Sequence, residues 1–444
     1  MRTRSEINST EWFGHIPNGW EMRPIKALFR FSKGLSITKA DLSECGAPVI
    51  SYGQIHSKDY DGTGITESLI RYVPKSIAQS SNSSYVKHGG FIFADTSEDL
   101  AGVGNCAYND GNEDLFGGYH TIVANPLLSS ENKYFAYLFR TDAWRKQLRK
   151  QLVDVKLFSV NQSILGESYV AVPPLDVQRS IVAFLDSRCK PINEAIARHR
   201  MIIDKLEDYR KGVITKAVTK GLDESAPMKD SGIEWIGSMP ANWSTTKLKF
   251  LCMSHNGVDY NSQDLCNQND DNSLFVIRSS NLVNGAVVHG DDVYINKPVP
   301  KNMLLRKGDL VIVRTNGSRR LVGKCALVTK NEKATAGAFM LICRSSLNPY
   351  IYWVLNSSLL SFHRGHFDTT TINQMSNEML KNMIIPLPPH EQMIDIMTYL
   401  DYKCAAINEG VNRQEQVIAR LEEYRRSLIF HAVTGRIDCT GGAC

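Results

Sequence analysis

Two stretches of this chain occur twice, in the same order and far apart. Residues 11–26, EWFGHIPNGWEMRPIK, return as residues 234–249, EWIGSMPANWSTTKLK. Glu11, Trp12, Gly14, Pro17, Trp20 and Lys26 recur there as Glu234, Trp235, Gly237, Pro240, Trp243 and Lys249. Residues 172–223, from VPPLDVQRSIVAFLD to KAVTKGLD, return without gaps as residues 387–438, from LPPHEQMIDIMTYLD to HAVTGRID. About 20 of those 52 positions are identical, among them Pro173/Pro388, Asp186/Asp401, Asn193/Asn408 and Tyr209/Tyr424. Between the echoes the copies diverge, yet His88-Gly89-Gly90-Phe91-Ile92-Phe93 still answers to Lys307-Gly308-Asp309-Leu310-Val311-Ile312. Gly104, Cys106-Ala107 and Gly118 answer to Gly323, Cys325-Ala326 and Gly337. A tandem duplication whose connecting segments agree and whose central segments differ implies one scaffold presenting two different surfaces.

The Pro-Pro segments open helical patterns. Val177, Ile181, Phe184 and Leu185 lie at helical spacing, and Pro191 predicts a fresh helix start there. Beyond it, Ile192, Ile196, Ile203, Leu206, Val213 and Ala217 fall on the a and d positions of heptads. The second copy repeats the stripe as Ile407, Val411, Ile418, Leu421, Leu428 and Ala432. His199, Arg210, Gln414 and Arg425 fill the remaining seam positions. Each stripe predicts a helix of ~27 residues, ~40 Å long at 1.5 Å per residue. A stripe only two residues wide per heptad is best buried by another helix, so the two copies are expected to pair antiparallel. Packing of each helix on its own domain is the alternative.

The expected fold is therefore α+β, with an internal pseudo-two-fold duplication. Residues 1–170 and 223–385 form two variable domains. Residues 171–222 and 386–444 form the helical regions that join into an antiparallel coiled coil. The variable parts read as short strands, such as Phe91-Ile92-Phe93, Leu310–Val313 and Ala338–Ile342, between Gly, Asn, Asp and Ser clusters, with helical patches near 131–151 and 349–364.

Several chemistries are missing. The Gly102-Val103-Gly104 stretch lacks a dinucleotide fingerprint, and no G-x-x-x-x-G-K-[ST] loop occurs. Asn348-Pro349-Tyr350 is one proline short of a base-methylating motif and stands where a helix would begin. The ten cysteines form no Cys-x-x-Cys pair and no zinc-ligand spacing, which predicts buried free thiols, a reducing compartment and no metal. No run of 18 apolar residues occurs and the N-terminus is polar, so a cytoplasmic location is expected. The net charge of +5 permits nucleic-acid binding without demanding it.

Polar segments that follow strand-like runs are the candidate contacts with DNA, since Arg and Asn pair with guanine and adenine edges while Ser, Thr and Lys reach phosphates. In the second copy these are Arg278 and Asn281, then Arg314, Asn316, Ser318, Arg319 and Arg320. In the first copy they are Tyr52, Gln54, His56 and Lys58, then Thr96 and Ser97. The carboxylates of Asp95, Glu98 and Asp99 form a solvated loop or one that reads cytosine amino groups. A further pair of polar loops precedes the Pro-Pro segments and adds Lys156, Asn161 and Asn373. Docking turns are the competing reading of that pair.

Together, the Trp-x-Gly-x-x-Pro-x-x-Trp segments at 12–20 and 235–243, the Gly-Asp-Leu element with Arg314-Thr315 and Gly323-Lys324, and the two Pro-Pro-to-Ala-Val-Thr helical segments resemble the specificity subunits of Type I restriction–modification enzymes. The resemblance spans almost the whole chain; Gly90 departs from it where Asp309 keeps it, as does Val177-Gln178 where Glu391-Gln392 is typical. It implies a non-catalytic protein with two target-recognition domains reading the two parts of a bipartite duplex DNA sequence. The helices would set the gap and dock two methyltransferase subunits, with motor-nuclease subunits joining for restriction. S-adenosylmethionine, ATP and magnesium would belong to those partners, leaving this chain without a cofactor. A coiled-coil adaptor joining two protein-binding domains, without DNA contact, is the alternative.

Overall fold

In a computed structural model that describes residues 12–57, 60, 62–79, 81–111, 114–152, 157–364 and 374–439, the chain divides into two units. Unit 1 takes the chain up to His199 and again from Gln416 onward; unit 2 is Arg200–Glu415. The four segments expected from the sequence thus distribute over two bodies, each holding one variable region and one half of each long helix.

Unit 1 is built on an antiparallel sheet in the order Phe29–Lys33, Thr121–Pro126, Phe91–Ala94, Cys106–Tyr108. A second sheet runs Arg71–Val73, Ala47–Ile50, Leu115–Gly117, Tyr85–Val86, with its two central strands parallel. Phe91-Ile92-Phe93-Ala94 is buried on both faces, which is why it reads as a continuous apolar run rather than an alternating one. Its phenylalanines join Phe29, Phe135, Phe139 and Trp144 in an aromatic core, with Phe139 and Trp144 ring centroids 4.5 Å apart.

Unit 2 repeats the plan. Met253–Asn256, Met340–Arg344, Leu310–Val313 and Cys325–Leu327 are neighbours in a six-stranded sheet. Its second sheet has Leu274–Ile277 parallel to Ala334–Ala336. The strand after each second tryptophan pairs with the strand before each Pro-Pro: Glu21 faces Val172, and Ser244 faces Leu387. Tyr134 and Tyr350 are both fully buried beneath these pairs and donate to the carbonyls of Ala171 (2.9 Å) and Pro386 (3.1 Å). Asn348-Pro349 sits at a helix start, with the Asn348 amide spent on the Gly308 and Cys343 carbonyls. That motif is scaffold.

The helices run further than their heptads. The first spans Leu175–Lys220, 46 residues, and the second His390–Val433, 44 residues. Pro191 does not restart the helix; it lies inside it, on an exposed position. An interior proline costs roughly 3 kcal/mol, but Leu185, Cys189, Ile192 and Ile196 on both sides of it are buried in one core, and that packing holds the helix through. The N-terminal stretches miss the heptad reading because they bury a broader face on their own domain, through Ile181, Val182 and Leu185 in unit 1 and Met393, Ile396 and Leu400 in unit 2. Both packing modes therefore operate, domain contact at the ends and helix pairing along the seam.

The pairing is antiparallel in each unit. In unit 1 Tyr134 bonds the carbonyls of Ala171 and Val433, and Arg425 donates to Asn193 further along. In unit 2 Leu206 lies against Gly410, while Trp243, packed on Gly221, donates to Gln392 at 2.7 Å. Ile192, Ile196, Ile407 and Leu428 are buried; Ile203, Leu206, Val213, Val411, Ile418 and Leu421 are half-buried, as a single two-helix seam allows.

The tryptophan motifs seal the helix ends. Gly221 (φ +75°) and Gly435 (φ +67°) each end a long helix in the left-handed region that glycine tolerates. A Cβ on Gly221 would meet Trp243 at 3.2 Å, and one on Gly435 would meet Pro17 at 2.3 Å and Trp20 at 3.1 Å. Six of the nine described cysteines are buried as expected; Cys45 is exposed, and Cys266 and Cys439 are half-buried. No described helix is long and apolar enough to cross a membrane.

The departure at Gly90 has a structural counterpart. In unit 2 the buried Asp309 accepts from Arg306 N (2.8 Å) and holds Arg344 through both oxygens, Oδ1–Nε 2.8 Å and Oδ2–Nη2 2.6 Å. In unit 1 Asn125 accepts from Lys87 N (2.8 Å), and an added Cβ on Gly90 would sit 2.8 Å from the Asn125 oxygen. Asp/Arg in one copy is Gly/Asn in the other, and the same turn N–H is satisfied either way. Removing one member of a buried pair strands the other, so Asp309→Ala should cost about 3–5 kcal/mol in urea unfolding. The Asp309→Gly/Arg344→Asn double variant should recover most of that loss, and no recovery would show that the two solutions are not interchangeable.

Candidate nucleic-acid interface

Each sheet ends in a polar loop, and in both units the fold brings that loop against the polar segment preceding the Pro-Pro strand. In unit 1 Thr96-Ser97 pairs with Phe158-Ser159, and Val160 N donates to the Asp95 carbonyl at 2.8 Å. In unit 2 Thr315 bridges Gln374, and Met375 N donates to the Arg314 carbonyl at 2.9 Å. A third backbone contact is also shared: Asp95 N reaches the His120 carbonyl (3.1 Å), and Arg314 N reaches that of Phe339 (2.8 Å). Equivalent main chain thus carries Asp95 and His120 in one unit, Arg314 and Phe339 in the other.

The strand-end turns complete the surface. Ser51 and Arg278 each precede a short helical turn whose third residue folds its side chain back, Gln54 accepting from Ser51 N (3.0 Å) and Asn281 from Arg278 N (2.9 Å). His56 Nε2 lies 2.9 Å from the Thr96 carbonyl, so that nitrogen carries the proton and Nδ1 accepts from Asn105 at 3.1 Å. In unit 2 the bridging role falls to Asn316, which donates to Ser279 Oγ at 3.1 Å.

The sixteen expected contact residues divide accordingly. Tyr52, His56 and Thr96 are half-buried beside the shared loop; Arg314 and Asn316 are half-buried, and Ser318, Arg319 and Arg320 exposed, on its counterpart. Others are held as scaffold. Asn281 is only 1% exposed and bonds within the unit; Ser97 is buried and donates to the Asp99 carbonyl; Asn161 is exposed but caps a short helix through Ile164 N; Gln54 caps its own turn. Arg278 is committed to Asp291 at 2.8 Å. Lys58, Lys156 and Asn373 lie outside the described residues.

Three surface residues were missed by sequence reasoning. Tyr119 and His120 make edge contacts with Tyr52 at 5.6 and 5.4 Å, forming an aromatic patch at the rim of unit 1. Phe339 stands in His120's place and is 69% exposed, an unusual setting for a phenylalanine among polar loops. The signal was present: both follow the matched Gly118 and Gly337 by two residues. Unit 1 thus offers aromatic, imidazole and carboxylate groups, and unit 2 offers arginines, an amide and a phenyl ring. Among the described residues no cluster of three metal-binding side chains occurs.

Comparison with known proteins places this arrangement. Residues 17–200 match the family described as "Type I restriction modification DNA specificity domain". The chain is 25% identical over 442 residues to the Type I restriction enzyme StySPI specificity subunit of Salmonella potsdam, covering 96% of this chain and 90% of that one. It is 22% identical over 441 residues to the putative type I restriction enzyme MjaX specificity subunit of Methanocaldococcus jannaschii, covering 96% and 95%. A solved chain from a structural study titled for complex assembly and conformational transition of the type I R-M system shares the fold, with a TM-score of 0.59 at 16% identity, over 95% of this chain and all of that one.

One clamp beside the unit 2 surface responds to pH. His289 stacks on Phe275 (4.6 Å) and bridges Asp292 (Nδ1, 2.8 Å) and Glu332 (Nε2, 3.1 Å). Hydrogen bonding to Asp292 above all, with the charges of both carboxylates, holds the imidazole pKa above its ordinary 6.5. The clamp contributes fully below pH 6.5 and is lost as pH rises through the raised folded value. Thermal unfolding followed from pH 6 upward should show the wild type losing its advantage over His289→Gln across that window. A constant difference between the two would remove the clamp from the account.

Proposed function

With the chain belonging to the specificity subunits of Type I restriction–modification enzymes, which are non-catalytic, we propose that its two units read the two parts of a bipartite duplex DNA target. The observation that carries this reading is the pair of composite loops, built on the same backbone contacts in both units and bearing different side chains. Arg314, Asn316, Ser318, Arg319 and Arg320 with Phe339 contact one part. Arginine and amide groups suit guanine and adenine edges, and the ring suits a thymine methyl. Tyr52, His56, Thr96, Tyr119 and His120 contact the other, with the Asp95 carboxylate placed to accept from a cytosine amino group.

The paired helices set the gap between the two parts and dock two methyltransferase subunits. Tyr209 and Tyr424, equivalent in the duplication, are 59% and 57% exposed on the outer faces of these helices and give each copy the same apolar foothold. The reading puts the protein in the cytoplasm with the DNA it guards. S-adenosylmethionine, ATP and magnesium are used by the methyltransferase and motor-nuclease partners.

Duplex binding should weaken by tenfold or more between about 50 and about 200 mM salt, because phosphate neutralisation releases counterions. A salt-independent affinity, or none, would favour an adaptor that joins proteins. Exchange of residues 21–170 for another recognition domain should alter one part of the recognised sequence only. Removal of a heptad from 192–218 should alter the gap and leave both parts unchanged.

A further inference from the structure

Unit 1 contains a cleft of ≈ 980 Å³ between its recognition loops and the last turns of the second long helix. Six basic side chains line it against three carboxylates, Asp142, Glu422 and Glu423. Arg145 is fixed at its floor, donating to the carbonyls of Phe139 (2.9 Å) and Ala101 (3.1 Å). Arg149 bonds Asp142 at 3.0 Å through Nη1, while its buried Nε has no partner. Lys146 and Arg426 are exposed at the rim. Burial, with a smaller contribution from neighbouring Arg140 and Arg149, pulls the Arg145 pKa down to about 10.

Among the described residues, unit 2 keeps the long-helix pair, Arg210 and Lys211, but not the rest of this chemistry. Counting from the equivalent Tyr134 and Tyr350, Arg140, Arg145 and Lys146 correspond to Asn356, Ser361 and Phe362. The helix position equivalent to Arg426 is Lys211, and Lys211 closes onto Ser361. Among the described residues, the full basic set of unit 1 is therefore not repeated in unit 2, although the scaffold is.

We propose that this cleft receives an acidic, partly apolar segment of one of the two methyltransferase subunits, so that the two docked copies are held unequally. The occupant is protein rather than DNA backbone for two reasons. Trp12, Leu100, Ile429 and Phe430 give the cleft apolar walls, which phosphates do not use. Glu422 and Glu423 on the helix side would repel a continuous phosphate strand, whereas a peptide can place its carboxylates against the guanidiniums and its apolar side chains against the walls. The inference rests on the specificity-subunit reading above.

The test uses the full chain with the methyltransferase subunits of its own host, counted by native mass spectrometry across a titration, alongside duplex binding by the free chain. Lys146→Glu/Arg426→Glu should weaken one of the two methyltransferase binding steps by about tenfold or more and leave the other, and DNA affinity, unchanged. Arg149→Ala should weaken the same step. Two unchanged steps would overturn the proposal, as would equal weakening of both. Lower DNA affinity with a shallower salt slope and intact assembly would reassign the cleft to phosphate. A wild-type chain that binds duplex DNA but no methyltransferase would overturn this inference while sparing the DNA-reading role; one that binds neither would overturn both.

Discussion

The narrow seam between the two long helices is the constraint on which the rest depends. Two apolar residues per heptad cannot close a domain core, so each helix half lies along a half of the other, and the stripe is buried only as far as two helices can bury it. The seam is not wholly apolar. Arg425 reaches Asn193 in unit 1, and Arg210 reaches Tyr352 and Cys404 in unit 2. Guanidiniums taken partly out of water need partners at particular positions, so they penalise a slipped register more than another leucine would. Stability comes from the isoleucines and leucines; alignment comes from the arginines.

Duplication then separates scaffold from surface. The contacts that hold the composite loops are main-chain contacts, from Val160 and Met375, Asp95 and Arg314, to the carbonyls of their neighbours. Because backbone groups make them, the side chains at the same positions are free to differ, as Asp95 does from Arg314 and His120 from Phe339. Where side chains are structural they change together, as Gly90 with Asn125 and Asp309 with Arg344. The same division explains the difference at the basic cleft: Arg140, Arg145 and Lys146 stand where unit 2 has Asn356, Ser361 and Phe362, while the long-helix positions of Arg425 and Arg426 stay basic as Arg210 and Lys211.

Much of this was legible in the amino-acid order. Periodicity exposed the seam, because heptads are a one-dimensional signal, and the echoes exposed the scaffold. Polar segments after apolar runs located the loops that the fold brings together. What was hidden depended on tertiary context. Pro191 reads as a break until Leu185 and Ile192 are seen to bury themselves on either side of it. Asn281 and Arg314 look alike as base readers, and only packing turns one inward to cap a turn while leaving the other at the rim. His120 and Phe339 have no shared chemistry, so only their shared backbone partner links them.

The central claim, proposed above, is that one chain carries two different readers, one for each part of its target. Its most direct test is to sequence the modified bases of host DNA in the presence and absence of this chain, with its methyltransferase partners expressed. The account predicts methylated adenines within a two-part motif, both parts specific and the gap between them constant in length and free in sequence. A single continuous motif, or methylation unchanged when the chain is removed, would contradict it.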